Sequence, residues 1–595
     1  MFCRARWLHL IIAGISFAFL LFLSWHKWGN LIVDTFRDPW TFAQLAEGKV
    51  LYKDVFYLYG FLPPYFASFL FKIFGVHLDC LVFTGILITA AVYFLVYRIS
   101  RFFLNRYFSV LCALGFLFIH AFGFYNYLGV FNFILPYSLA STFFIFFLLC
   151  SILFFLKFIK TDKTIFLLIW ACSLWLAFLC RIDFSFLVWL VFVFLGLLYG
   201  LRNKKAVLLI LPLALSFATY YLFLSLTGGF EGFRESFSDI FLFCASAKNK
   251  VYFFDSGLAN IPLNLKYVLG SFIYQLSAIL LFIVLSVAFS SLRNRFKGKI
   301  TLLLAYIFLT FCSFFSAFCL VKFLGYQYGY RLMPVVLISG IILFFSKCLS
   351  AKGDDLKKNF SFLVLFLISF VLILRKLFLV SPNHYGFFLA FLSLICYFIF
   401  FIKIPGLLFN KLRSGKENGL AKKCYLFLFF LYFIFISCAV VGHSLRNYNN
   451  RQLVISTDRG TIISFDDLPT ARFCKAVDYL KGLPEGSKVV VFPEGVGLNF
   501  FSLKENPLRY SSFLPEELSV IGEDNVIGLL DKYKIDYIVI LSRKADYTAK
   551  SFGIDYGKKI YAWIQEKYKL EFLIGPYPFS RDEFGIAIFS RSIAP

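Results

Sequence analysis

Along residues 1–445 the chain alternates long apolar runs with short polar connections. The runs fall at 1–25, 79–97, 107–123, 137–158, 164–180, 184–201, 205–225, 267–291, 300–321, 331–348, 360–376, 385–402 and 424–442. Each is near the length of about 20 residues that a helix needs to cross a hydrocarbon core of about 30 Å. The pattern predicts about 13 transmembrane helices. Within 1–25, Arg4 and Arg6 precede the apolar stretch as in a signal peptide, but Trp25-His26-Lys27-Trp28 follows instead of a small-residue cleavage site, so an uncleaved first span is expected.

From about residue 446 the pattern changes. Short apolar strands, 488–492 and 536–541, alternate with helical periodicity near 470–482, 522–533 and 557–569. This predicts a small α/β domain over 446–595 with a largely parallel sheet. The fold class expected is therefore a polytopic α-helical membrane protein with a soluble C-terminal α/β domain.

Charge gives the helices a direction. Residues 446–595 hold 20 Lys+Arg and 19 Asp+Glu, leaving 39 and 14 for residues 1–445. The basic residues there concentrate in alternate connections: Arg98/Arg101/Arg106, Lys157/Lys160/Lys163, Arg202/Lys204/Lys205, Arg293/Arg295/Lys297/Lys299, Lys347/Lys352/Lys357/Lys358 and Lys403/Lys411/Arg413/Lys416/Lys422/Lys423. The positive-inside rule puts these and the N-terminus in the cytoplasm, and 26–78, 124–136, 226–266, 322–330 and the C-terminal domain outside. Arg375 and Lys376 are exceptions. With 60% hydrophobic and 15% charged residues, the net charge of +26 reflects this pattern and not nucleic-acid binding. The 14 cysteines lie mostly inside apolar runs and read as small buried hydrophobes; no Cys/His spacing suggests zinc.

The candidate chemistry lies in the first outer loop. Carboxylates are scarce before residue 446, yet Asp34, Asp38, Glu47 and Asp54 share the stretch 34–75. Asp38-Pro39 reads as the N-cap and first residue of a short helix ending at Gly48. If the preceding turn is also helical, Asp34, Arg37 and Asp38 share a face. A second helix is expected from Pro63-Pro64 to Gly75, too short to span and suited to the interface through Phe66, Phe69, Leu70, Ile73 and Phe74. Elsewhere, Asn132 to Tyr137 reads as a helix start with Pro136 in its first turn. Arg181 and Asp183 form an interfacial pair or part of a site. Lys322, Tyr326 to Tyr330 and Arg331 form an aromatic, basic loop whose arginine suits a lipid phosphate. Pro493 to Asn499 follows a strand but lacks the third glycine and following helix of a dinucleotide site.

The run Asp34, Arg37-Asp38, Leu45 to Asp54, Tyr57, Tyr59-Gly60, Pro63 and Tyr65 resembles the first outer loop of polytopic glycosyltransferases of the GT-C fold. The nearest group is family-39-like, which includes protein mannosyltransferases and the lipid A aminoarabinose transferase. Arg37-Asp38 departs from the Asp-Glu or Arg-Glu of many relatives, which leaves the role of the second acid open. The resemblance implies a catalytic loop acid (Asp34, with Asp38 beside it) and a polyprenyl-phosphate sugar donor. It also implies single displacement with inversion and no obligatory metal or other cofactor. Arg37, Arg181, Arg331 and Lys322 are the candidates for the donor phosphate, and Tyr57, Tyr59, Asp54 and Asp183 for substrate contact. The acceptor is expected to be a lipid, glycan or protein at the external face of a bacterial inner membrane. Rival readings are a transporter or flippase of lipid-linked sugars, a ligase or polymerase of such glycans, and a non-catalytic assembly protein.

Overall fold

A computed structural model describes residues 2–200, 204–245, 251–292, 298–412, 416–545 and 549–592. Arg202, Arg293, Arg295, Lys297 and Arg413 of the basic connections lie outside the described residues.

The chain opens with α1 (Phe2–Ser24), followed by two short helices, α2 (Arg37–Ala46) and α3 (Leu62–Phe74). The membrane-type helices continue with α4 (Leu78–Phe103), α5 (Arg106–Gly115), α6 (Leu139–Thr161), α7 (Thr164–Phe178), α8 (Ile182–Leu198) and α9 (Lys204–Thr227). Three short helices follow, α10 (Phe230–Arg234), α11 (Ile240–Ala245) and α12 (Val251–Ser256). The bundle is completed by α13 (Ile261–Leu292), α14 (Lys299–Leu324), α15 (Met333–Ser350), α16 (Gly353–Ile373), α17 (Leu392–Leu412) and α18 (Lys416–Asn449). Each of the 13 apolar runs is thus a helix. Among the described residues eight helical segments are long and apolar enough to cross a membrane; His9–Ser24, Arg106–Ala121, Thr164–Phe178, Ile182–Leu198 and Leu392–Lys403 are shorter apolar segments, α5 being extended by a π-helical turn to Ala121.

Local signals set the helix starts. Asn105 accepts from the Phe108 amide to cap α5, and Ser138 accepts from the Ser141 amide to cap α6. α3 carries Pro63-Pro64 in its first turn and ends at Gly75, as expected, with Phe66, Phe69, Ile73 and Phe74 exposed along one side. The segment from Asn132 is not a helix start: helix begins only at Leu139. The Asn132 carboxamide instead bonds the Gly129 and Leu135 carbonyls and the Ile134 and Leu135 amides, satisfying buried backbone that no helix serves.

After α18 the chain forms a hairpin, β1 (Arg451–Thr457) and β2 (Gly460–Phe465), then α19 (Leu468–Lys481) and β3 (Val489–Phe492). Helices α20 (Gly497–Ser502), α21 (Pro515–Ile521) and α22 (Glu523–Lys532) lead to β4 (Tyr537–Leu541), α23 (Lys558–Lys567), β5 (Tyr568–Ile574) and β6 (Ile586–Arg591). The sheet order is β3-β4-β6-β5, and only β3 and β4 pair in parallel. The largely parallel sheet expected from sequence is therefore corrected to a mixed one. β5 and β6 are joined by a loop without a crossover helix and so pair antiparallel. A helix, α20, does follow β3, beginning at Gly497 inside the 493–499 stretch, contrary to expectation.

This domain is fastened onto the bundle. The Ile463 amide bonds the His26 carbonyl, and the Leu78 amide bonds the Arg459 carbonyl. Buried Arg451 lies 4.6 Å from the Phe124 ring and 5.0 Å from Phe465, while bonding the Lys27 and Leu128 carbonyls. Glu235, from the 226–266 connection, pairs with Arg509 at 3.4 Å. The segments assigned to one side by charge thus pack together.

Candidate active site

The Asp34 turn is built by its neighbours. The Asn30 carboxamide accepts from the Ile32 and Val33 amides, and the Thr35 hydroxyl accepts from the Asn30 amide. The chain then folds sharply at Asp34, whose φ of 58° is left-handed, a conformation Asp tolerates better than most residues. The C-terminal domain closes on this turn. Phe36 packs on Phe501 at 4.7 Å, and Gly497 lies so close to the Leu31 carbonyl that a Cβ would sit 2.5 Å from it.

The folded chain gives Asp34 several partners. The Tyr385 hydroxyl donates to its Oδ2, Arg37 Nη1 lies 3.5 Å from Oδ1, and its amide donates to Glu494 Oε1 at 3.1 Å. Arg37 Nη2 in turn reaches Glu494 Oε1 at 3.0 Å, the Ser512 hydroxyl at 3.1 Å and Glu517 Oε1 at 3.8 Å. Arg543 Nε holds the other Glu494 oxygen at 3.2 Å. One loop guanidinium thus gathers acids that are 460 and more residues apart in sequence.

Asp38 does not cap its own helix. It lies within α2, and its Oδ2 accepts from the Leu139 amide at 2.7 Å, at the N-terminus of α6. Its loop thereby docks on the bundle, where the positive end of the helix dipole favours a carboxylate. Burial nevertheless dominates and pushes its pKa up to about 7, against the Leu139 bond and the neighbouring Tyr57 hydroxyl. Burial raises Glu517 to about 7 as well, opposed by Arg37 and reinforced by Glu516 and Glu494. The narrow cleft they line, about 40 Å³, includes Asp34, Tyr57, Tyr59 and Tyr137.

A second, basic pocket adjoins this acidic cleft through Tyr137. Arg181, Arg375, Lys376 and Tyr385 line it. Arg181 stacks on Tyr59 at 4.8 Å, pairs with Asp183 at 2.6 Å and donates to the Ser141 hydroxyl. Arg375 bonds buried Asp255, which His384 also contacts at 3.1 Å. Lys376 is 2% exposed, and among the described residues its ammonium enters no hydrogen bond or ion pair, while its carbonyl accepts from the Leu379 amide. The two cations that broke the charge alternation thus lie just past the C-terminal end of α16, in the pocket whose Tyr385 bonds Asp34.

Three candidates fall elsewhere. Arg331 is buried but engaged by the Asn264 side chain and the Phe378 carbonyl, bracing the segment after α16 outside both pockets. Lys322 lies over Phe318 and Phe323 of its own helix. Asp54 is exposed and accepts from the Val50 amide, closing a turn. Sequence reading missed Tyr385, Glu494, Glu517, Arg543 and the site role of Lys376. Only the misplaced charge of Arg375-Lys376 signalled any of them. A larger groove of about 810 Å³ opens behind the Asp34 turn, between residues 30–33, the β1-β2 hairpin and the 579–584 loop, with Arg543 in its wall.

No protein-family model and no curated protein matches the chain. Among solved structures it is similar to the archaeal oligosaccharyltransferase AglB from Archaeoglobus fulgidus in complex with an inhibitory peptide and a dolichol-phosphate. That match has 12% identity and a TM-score of 0.48 and covers 99% of this chain and 74% of AglB. The same oligosaccharyltransferase tethered to an acceptor peptide matches with 12% identity and a TM-score of 0.49, over 99% and 74%. ArnT from Cupriavidus metallidurans bound to undecaprenyl phosphate matches with 11% identity and a TM-score of 0.42, over 98% of both chains.

Proposed function

We propose that the protein is a membrane glycosyltransferase that transfers a hexosyl or pentosyl group from a polyprenyl-phosphate donor to a hydroxyl or amine of a lipid, glycan or protein. The observation that carries this reading is the Asp34 carboxylate held at the junction of an acidic cleft and a cationic pocket. Asp34 accepts the acceptor proton as its oxygen or nitrogen attacks the anomeric carbon. The bond from that carbon to the phosphate oxygen breaks on the opposite face, and the electron pair leaves with the polyprenyl phosphate. Lys376, Arg375 and Arg181 meet the charge that develops there; among the described residues Lys376 is the one whose side chain makes no direct ion pair. Arg37 orients Asp34 from the other side. The cleft is smaller than a sugar ring, and Tyr137 and Tyr385 divide it from the basic pocket, so substrate entry displaces the tyrosines.

A cation-bridged acid cluster is already provided by Arg37, which supports metal-independent transfer; activity should survive EDTA. The charge alternation supports a cytoplasmic N-terminus, an external C-terminal domain and, for a lipid-linked donor, a bacterial inner membrane. A transporter of lipid-linked sugars is less well supported, because the converging charges line a closed pocket at one end of the bundle. The test supplies purified protein in detergent with a polyprenyl-phosphate sugar or the matching nucleotide sugar, plus a crude envelope acceptor. Transfer from the lipid donor alone is expected. Transfer from the nucleotide sugar without prenyl phosphate would overturn the reading.

A further inference from the structure

At the other end of the bundle three of the basic connections converge. Asp38 touches the first residue of α6, whereas Lys157 and Lys160 lie in its last turns. At 1.5 Å per residue these ends are about 30 Å apart, the thickness of a hydrocarbon core. There a cavity of 660 Å³ opens between α4, α6 and α16. Its wall carries six cations, Arg98, Arg101, Lys157, Lys160, Lys357 and Lys358, against a single acid, Asp354. Among the described residues only Lys357 of the six has an ion-pair partner, Asp162 at 2.6 Å. The N-terminus of α16, with Asp354 and Asp355 in its first turn, opens into the same cavity.

Like charges brought together with so few counter-charges repel one another. Such a site is stabilised by an anion bearing phosphate. The surface of α4 indicates which kind. Phe83, Leu87, Phe94, Arg98 and Arg101 recur at helical spacing along one side, and the three apolar residues are 55%, 72% and 52% exposed. An apolar strip thus runs directly into the cationic cavity, matching acyl chains followed by a phosphate headgroup. We propose that this cavity binds an anionic phospholipid of the leaflet remote from Asp34, its phosphates among Arg98, Arg101 and Lys157 and its chains along α4. The assignment does not depend on the transfer reaction.

The test uses the full-length protein, delipidated in detergent and titrated with cardiolipin, phosphatidylcholine or inorganic pyrophosphate, with bound species read by native mass spectrometry. The wild type is expected to retain cardiolipin at concentrations where phosphatidylcholine is lost. The triple variant Arg98→Gln/Arg101→Gln/Lys157→Gln should bind it at least tenfold more weakly. The control Lys347→Gln/Lys422→Gln/Lys423→Gln, removing equal charge elsewhere, should bind as the wild type. Equal loss in both variants would reduce the effect to general surface charge and overturn the site. Pyrophosphate binding as tightly as cardiolipin and displacing it would assign the cavity to a soluble anion instead. Should the triple variant not fold, a photoactivatable anionic phospholipid on the wild type decides: cross-links to 83–101 support the site, and their absence overturns it.

Discussion

Replacing Asp34 by Asn separates catalysis from architecture at one position. Asn keeps the size of the side chain and can still accept a hydrogen bond from Tyr385, so the tyrosine contact has a replacement. The Arg37 leg to Asp34 is the longer one, 3.5 Å against 3.0 Å to Glu494 and 3.1 Å to Ser512. Both side chains of that pair are partly exposed, at 22% and 12%, which limits the loss to about 0.5–1 kcal/mol of stability. Loss of a general base costs a factor of about 10² to 10⁴ in rate, or roughly 3–5 kcal/mol in the barrier. The two readouts should therefore diverge. Turnover with lipid-linked donor in detergent should fall at least about 10²-fold, while the melting temperature moves by only a few degrees. Asp38→Asn, able to keep the Leu139 bond, should retain most of its turnover. Asp34→Asn turning over near the wild-type rate would refute the assignment, as would an equal loss in both variants accompanied by unfolding.

Other perturbations follow from the same geometry. Glu517 has a folded pKa raised from 4.5 to about 7, so its contribution is present below the unfolded value and is lost as pH rises through about 7. Glu517→Gln should then melt higher than the wild type at pH 8 and equal to it at pH 4.5; the reverse ordering would contradict the burial argument. Gly497→Ala places a methyl 2.5 Å from the Leu31 carbonyl and should lower both melting temperature and activity by shifting the Asp34 turn, measured against the Gly528→Ala control, where space is open. Lys376→Gln should raise the KM for the lipid-linked donor at least about tenfold while leaving the acceptor KM unchanged, in line with loss of one charge-assisted contact; an unchanged donor KM would remove Lys376 from the phosphate site.

The helices, the short helix from Leu62 to Phe74 among them, and the change of character near residue 446 were legible from sequence because they depend on local periodicity and length. The clustering of acids in the first loop was legible for the same reason, since scarcity of charge in an apolar chain is a one-dimensional property. Partnership was not. Asp38 reads locally as a cap for its own helix, yet it bonds the Leu139 amide, 101 residues away. Arg331 starts a span as a phosphate ligand would, but Asn264 and Phe378 consume it, while Lys376, a misplaced charge in the sequence, is buried in the basic pocket that adjoins the acidic cleft. Sheet direction also escaped, because it depends on whether a crossover helix separates two strands in space. Local pattern sets which segments are helix, strand or loop. Which side chains share a counter-charge is decided by long-range packing, and burial makes breaking such a pairing costly.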